Sequence, residues 1–578
     1  MNIPRPEHPK PQFERENWIN LNGKWQFEID NGTSGIERGL NSPEANLNSE
    51  ILVPFCPEST LSGIGNTDFM YGVWYKRSIA INEEQLNGRV FIHFGAVDYK
   101  TTLFVNGKQA GIHKGGYVSF SFDITEFLTV GENVITVFAE DDTKSRDIPS
   151  GKQSDTYLSH GCFYTRTTGI WQTVWLEFTP KNYIKKVKYY PNYKTAEVTV
   201  FVSVEGEENL TVNVTYEGKE MASYCAGKVS GQTQFTLSLA ETHLWEIGNG
   251  RLYDVDFSFG LDAVKSYFGL RNVELCGKKF LLNGKSVFQR TVLDQGFYPD
   301  SIYTAPTDEA LKNDILLSMA CGFNGARPHE KIFEERYFYH ADKLGYLTWG
   351  EYPDWGLGFH SPAEDFSTPN ALKACLNEWI DEVERDFNHP SIIGWCPQNE
   401  AWAPTKNTPW EYLYTITKAL DPTRPCIDTS GGVHIKTDIF DWHDYSQESE
   451  LLITRINELL NNNIKSGWVA RQIPYDGKAP VFISEYGGIA WYANCDSEAD
   501  RQKAWGYGNG PKSEEEFIDR FSSLTEAIMN DSRFMGLCYT QLTDVEQEQN
   551  GLYTYDRKSK FDPEIFKKVL SQKAAIED

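Results

Sequence analysis

The sequence predicts a multidomain β plus α/β chain: two β-sandwiches in series followed by a closed (β/α)8 barrel. Three observations carry this reading. The chain has 578 residues, more than one hydrophobic core organises, so two to four domains of about 150 residues each are expected. Through the first half, apolar residues recur with a period of two, the pattern of half-buried antiparallel strands. Past Leu270 the period changes to helices alternating with short apolar strands, and the roughly 300 residues that follow suit a barrel.

In the first region, 89–105 is an apolar-rich strand run, Asn106-Gly107 is a favoured two-residue hairpin signal, 118–124 alternates again, and 133–139 supplies a strand after Gly131. The second region alternates at 196–204, 210–216 and 233–239. With a boundary near Pro180, the domains are read as 1–180, 181–272 and 273–578.

In the third region a first strand is expected at 286–293. Thr307 can cap a helix carrying Leu311, Ile315, Leu316 and Met319 on one face, and Gly322 ends it before a strand at 323–327. After a strand at 346–351, Thr368-Pro369 start a longer helix with Leu372, Leu376, Trp379, Ile380, Val383 and Phe387 at helical spacing. His389-Pro390 stop it before a strand at 392–396. There follow a helix near 412–420, strands at 426–429 and 438–442, a helix near 451–460, a strand at 481–484, a helix near 517–528 and a strand at 535–541. The count matches eight parallel strands, the helix after the fifth being the weakest element. A doubly wound sheet is the alternative, but no G-x-G-x-x-G opens a helix after a strand.

Lys and Arg number 55 against 81 Asp and Glu, a net charge of −26. That mean field repels phosphate, so nucleic acid and anionic membrane are not expected partners. No segment approaches the ~20 apolar residues of a membrane span. Residues 1–30 hold Pro4, Pro6, Pro9 and Pro11 among charges with no apolar stretch of signal-peptide length, which predicts a cytoplasmic protein. The closest of the ten Cys, Cys375 and Cys396, are 21 positions apart, so free thiols are expected and no C-x-x-C site. The His are dispersed without an H-E-x-x-H, so a zinc hydrolase has little support; no organic cofactor is required, and a metal is possible as a structural ion although no ligand cluster argues for one.

In a barrel, chemistry sits at the C-terminal ends of strands. Two carboxylates stand there after strongly apolar segments: Glu400, ending Ile393-Gly394-Trp395-Cys396-Pro397-Gln398-Asn399-Glu400, and Glu485, ending Val481-Phe482-Ile483-Ser484-Glu485. Desolvation raises a carboxyl's pKa and suits one of them to be an acid. The other must stay ionised, and Arg327 at the end of the second strand can hold it so. Such a pair about 5–5.5 Å apart is the geometry of retaining glycoside cleavage. A salt bridge or helix cap is the ordinary alternative for any single Glu. Trp355, Trp402, Trp491 and Trp505 lie between barrel elements, where packing competes with sugar stacking; Trp491 is the favoured stacking residue. His329, His360 and His443 are further candidates.

At these residues the sequence resembles glycoside hydrolase family 2, the family of β-galactosidases, β-glucuronidases and β-mannosidases. The resemblance spans nearly the whole chain. Tyr71-Gly72-Val73-Trp74-Tyr75, His93-Phe94-Gly95-Ala96-Val97-Asp98 and Thr168-Gly169-Ile170-Trp171-Gln172 resemble the family's sugar-binding jelly roll. The middle region is similar to its immunoglobulin-like sandwich and the last to its catalytic TIM barrel. The resemblance implies Glu400 as acid/base, Glu485 as nucleophile, and Asn399 as the ligand of the sugar 2-hydroxyl. It implies further that Arg327 orients the nucleophile and that Tyr445, in His443-Asp444-Tyr445, hydrogen-bonds it. Asp294, in the loop after the first strand, is a candidate for outer sugar hydroxyls, with turn capping as the alternative.

Departures leave the sugar open. Tyr486-Gly487-Gly488 follows the nucleophile where galactosidases of the family commonly place His, Tyr539 or Gln541 stands in for the Trp usual near the end of the eighth strand, and the Asn-x-Lys motif of glucuronidases is absent after Glu485. The expectation is a retaining exo-β-glycosidase, β-galactosidase-like, acting on a small oligosaccharide or glycoside, with a homo-oligomer compatible with the family. β-Galacturonide, α-L-arabinopyranoside, β-glucuronide, β-mannoside and β-glucoside are alternative substrates. A non-catalytic carbohydrate-binding protein is the competitor from another class.

Overall fold

A computed structural model describes residues 3–357, 369–401, 410–463, 474–492, 501 and 503–577. Two antiparallel sheets form the first sandwich. One orders Trp18–Asn20, Val174–Thr179, Arg89–Phe94 and Phe120–Asp123; the other runs from Ser49–Val53 through Gly23–Ile29, Gly72–Ile81, Gly131–Glu140 and Lys100–Val105 to Lys108–Lys114. Their inner faces bury Trp25, Phe27, Val73, Tyr75, Ile92, Leu103 and Val137. The run 89–105 is therefore not one strand: the chain passes from one sheet to the other around Gly95, where a Cβ would sit 2.6 Å from that of Gln172. Asn106 and Gly107 both take positive φ, 52° and 78°, as the two-residue turn requires.

The second sandwich comprises Tyr183–Asn192, Glu197–Tyr216, Lys219–Ser238, Tyr253–Phe259 and Asp262–Phe268. The strands expected at 196–204 and 210–216 are one 20-residue strand. Its register shifts between Ser203 and Glu207, beside Gly206 at φ +80°. The first half pairs with Tyr183–Asn192 and the second with Tyr253–Phe259, so one strand serves both layers. The inward period of two survives the bend, burying Val198, Val200 and Val202, then Leu210, Val212 and Val214.

The hairpin of Val273–Cys276 and Lys279–Leu282 plugs one end of the barrel, placing Val273, Phe280 and Leu282 against Leu293, Trp349, Ile393 and Phe482. Seven parallel strands follow: Gln289–Asp294, Gly325–Pro328, Leu347–Glu351, Ile392–Cys396, Phe440–Asp444, Val481–Gly487 and Phe534–Thr540. The expected strand at 426–429 is reduced to bridges between Trp395 and Cys426 and between Asn399 and Ser430. Asp428 folds the chain back there, its Oδ2 accepting from the amides of Ile435 and Lys436 at 2.7 and 2.9 Å. Among the described residues no helix lies between this position and the strand Phe440–Asp444.

The helix Asp308–Ala320 is capped by Thr307 as expected, but its buried stripe is Leu311, Asp314, Ile315 and Ser318, and Leu316 is 43 % exposed. Asp314 can be buried because Arg557 and Tyr298 hydrogen-bond it. A helix at Glu335–Leu344, ended by Gly345 at φ +68°, was not marked by the sequence pattern. Thr368, the expected start of the next helix, lies outside the described residues, and the helix is described over Pro369–Asp386. The nine described cysteines are free.

Two interdomain contacts matter for the site. Arg15 donates to Glu177 of the first sandwich at 2.9 Å and to Asp262 of the second at 2.8 Å. Residues 150–153 of the first sandwich lie on the barrel loop 353–356, the amides of Ser150 and Gly151 donating to the Trp355 carbonyl at 2.7 and 3.0 Å. Backbones meet closely here: a Cβ on Gly151 would fall 2.4 Å from the Glu330 carbonyl oxygen, and one on Gly356 2.2 Å from Ser150 Oγ.

Candidate active site

Strand ends deliver the central groups. Arg327 lies one residue from the end of Gly325–Pro328, Glu351 ends Leu347–Glu351, Asn399 and Glu400 lie just past Ile392–Cys396, His443 and Tyr445 stand at the end of Phe440–Asp444, and Glu485 lies on Val481–Gly487. Arg327 is fully buried and organises them through a forked guanidinium: Nε donates to Glu351 Oε2, Nη1 to Glu485 Oε1 at 2.7 Å, and Nη2 to Asn399 Oδ1 at 2.8 Å. One planar cation thereby fixes two carboxylates and an amide, which a lysine cannot do. Asn399 is held from behind by its own amide on Asp354 Oδ1 at 2.8 Å.

Glu485 receives the Tyr445 hydroxyl on Oε2, and His443 Nε2 lies 3.4 Å from its Oε1. Burial alone would raise its pKa, but the positive charge of His443 and of Arg327 outweighs burial and holds the carboxyl below its ordinary value. Glu485 is thus an ionised carboxylate in a dry pocket. Glu351 behaves oppositely: burial pushes it up to about 7 against the pull of Arg327.

Glu400 is a partly exposed carboxyl in a backbone conformation unusual for its type, φ +50°. Its amide on the Ser430 carbonyl, 2.7 Å away, pins that conformation. His443 Nδ1 lies 2.9 Å from Glu400 Oε1, and Nε2 is 3.0 Å from Ser430 Oγ, which donates to Asp441 Oδ2 at 2.9 Å. With the serine proton committed to Asp441, Nε2–H is the donor to Ser430, and a single proton lies between His443 Nδ1 and Glu400. Behind them His434 bridges Asp428 and Asp441 at 2.7 and 2.9 Å.

Donor atoms of Glu400, His443 and Glu485 all lie within 4.8 Å of one another. Sequence spacing showed no such cluster; folding creates one from three strand ends, and these are the same atoms that a two-carboxylate mechanism uses. A cavity of about 400 Å³ opens on Glu400, lined by Trp355 and Phe163 and by His160 and Gln153 of the first sandwich.

Of the sequence candidates, the fold brings together Glu400, Glu485, Asn399, Arg327, Tyr445, His443 and His329. It gives four others different contacts. Trp491, half-buried, packs its ring on Phe517 and Phe561, 5.7 and 5.2 Å between centroids, the packing alternative to sugar stacking. Asp294 is buried and accepts from the Gly296 amide at 3.0 Å, the turn-capping alternative. Tyr539 packs on Tyr486 and Phe521, while Gln541 joins a buried amide chain with Gln295 and Asn550. Trp402 and His360 lie outside the described residues. Sequence reasoning missed Glu351, although the strand-end rule applies to it equally. It also missed Tyr507, stacked on Tyr445 at 3.4 Å and 2°, and Lys152, for which no local pattern exists.

Removing the largest positive influence on Glu485 gives a signed prediction. A depressed carboxyl stays ionised below the usual ~4.3 of a glutamate, so wild-type kcat/KM falls only as the pH drops through that lowered value. In His443→Gln, burial acts against fewer charges and the acid limb moves upward in pH. A pH–rate profile checks this, and an unmoved acid limb would contradict it.

Protein-family models match in sequence order: "Glycosyl hydrolases family 2, sugar binding domain" over residues 65–180, "Glycosyl hydrolases family 2" over 182–271, and "Glycosyl hydrolases family 2, TIM barrel domain" over 273–574. A Formosa agariphila protein is 26% identical over 520 residues, covering 83% of this chain and 58% of its own length. A β-galactosidase of Thermoanaerobacter pseudethanolicus is 27% identical over 403 residues, covering 65% and 51%. The chain spans little more than half the length of these two curated relatives. The solved β-glucuronidase of Lactobacillus rhamnosus superposes with a TM-score of 0.81 at 21% identity, over 98% of this chain and 99% of that one, a likeness of fold.

Proposed function

Because the chain belongs to glycosyl hydrolase family 2, we propose that it is a retaining exo-β-glycosidase working through Glu485 and Glu400. The observation that carries this is the approach of their carboxylate oxygens to within 4.8 Å, in the retaining rather than the inverting range. Glu485, ionised and steadied by Arg327 and Tyr445, attacks the anomeric carbon. Glu400 passes its proton to the leaving oxygen, drawing on the proton shared with His443, and then takes one from the incoming water. Arg327 on the Asn399 oxygen leaves that amide's NH2 to donate to the sugar 2-hydroxyl, a contact that strengthens as positive charge develops at the ring. The ~400 Å³ cavity beside Glu400 receives the leaving group.

A neutral terminal sugar, β-galactoside-like, is the preferred substrate. Relatives carry either name, β-galactosidase or β-glucuronidase, but the lysine motif implied for uronides is absent, and a buried acid, Glu548, lies within electrostatic reach of Glu485. Hydrolysis of a panel of nitrophenyl glycosides, with the first-formed anomer read by NMR, tests this. Release of the β-anomer is expected. The α-anomer would overturn the nucleophile, and no turnover of any member would favour the carbohydrate-binding protein.

A further inference from the structure

Lys152 belongs to the first sandwich yet stands in the barrel's mouth. It is 6 % exposed, and its Nζ lies 3.6 Å from the centroid of the Trp355 ring. Among the described residues, that ring is the ammonium's only direct partner. Burial, which disfavours its charge, is outweighed by the acidic groups around it, Glu548 and Glu485 among them, and its pKa lies above the ordinary lysine value. A buried cation with no anion in contact is costly unless something completes it, and a π-face supplies only part of what was lost. The position is built: Gly151 and Gly356 allow the backbones to touch, and the Lys152 carbonyl accepts the Tyr164 amide at 2.7 Å. The Tyr164 hydroxyl in turn donates to Glu548 Oε2, whose other oxygen accepts from Asn550 at 2.9 Å. Each carboxylate oxygen retains a further lone pair.

We propose that Lys152 and Glu548 form a donor and acceptor pair that reads a hydroxyl of the terminal sugar, with the sandwich domain thereby supplying a specificity residue to the barrel. The inference rests on the glycosidase reading above. A hydroxyl suits the pair because it can accept from the ammonium and donate to the carboxylate at once. A sugar carboxylate would meet one cation beside the ionised Glu485, and like charges repel it.

The test compares wild type, Lys152→Met and Glu548→Gln on the best nitrophenyl glycoside of the panel, its 3-, 4- and 6-deoxy analogues and the matching uronide. The expected result is a loss of about 10- to 100-fold in kcat/KM for Lys152→Met on the parent sugar. That loss disappears with the one deoxy analogue lacking the contacted oxygen, a coupling that a merely structural role would not produce. Glu548→Gln couples to the same analogue and raises the uronide-to-parent ratio. Equal losses on every substrate would overturn the proposal, and so would a uronide that is the best wild-type substrate and is lost selectively in Lys152→Met. Labelling of Glu485 by a 2-deoxy-2-fluoro glycosyl fluoride separates the two levels: an unlabelled wild type fails the glycosidase reading, whereas a labelled Lys152→Met without coupling fails only this one.

Discussion

Glu485→Ala loses hydrolysis by about 10⁴-fold or more in kcat while remaining folded, because no other group can form the bond to the anomeric carbon. Removing the carboxylate leaves the buried Arg327 with Glu351 as its remaining anionic partner, so the fold keeps a neutralised core while the chemistry goes. The vacated space lies on the α face of the sugar, with Glu400 intact to protonate the leaving oxygen. Added azide therefore yields an α-linked glycosyl azide, identified by NMR. Activity of Glu485→Ala above a hundredth of wild type would refute the assignment.

Glu400→Ala produces a loss that depends on the leaving group. General acid catalysis contributes on the order of 10²–10⁴-fold, and that amount is lost with alkyl glycosides, whose departing oxygen needs a proton. A dinitrophenyl glycoside departs without one, so the first step survives and the covalent intermediate accumulates for want of a base. Azide, which needs no base, rescues turnover and gives the β-linked azide, opposite in configuration to the Glu485→Ala product. Comparing kcat across leaving groups with and without azide checks this; equal losses on both leaving groups would contradict it.

These roles were legible because the barrel strands are short apolar runs ending in a carboxylate, and because Asn399-Glu400 and Glu485 fall where such runs stop. The two-residue turn at Asn106-Gly107 was legible for a local reason as well, since only certain residues tolerate its positive φ. What sequence did not show is tertiary in origin. The strand 196–216 bends without breaking its inward alternation, so periodicity reads it as two. Leu316 and Asp314 exchange the places that hydropathy assigns them, because Arg557, more than two hundred positions away, satisfies the acid. Trp491 is claimed by Phe517 and Phe561, which no spacing rule links to it. Lys152 reaches the site only because two domains touch at glycines. The contacts of Glu400 and Glu485 with His443 likewise required the fold, although His443 had been singled out by its neighbourhood.

The account turns on a covalent bond between the sugar and Glu485. Incubation with a 2-deoxy-2-fluoro glycosyl fluoride of the sugar hydrolysed fastest, followed by proteolysis and mass spectrometry, reads that bond directly. The expected result is one fluorosugar per chain, carried on the peptide containing Glu485. A label on Glu400 would contradict the assignment, as would undiminished turnover with no label on either residue.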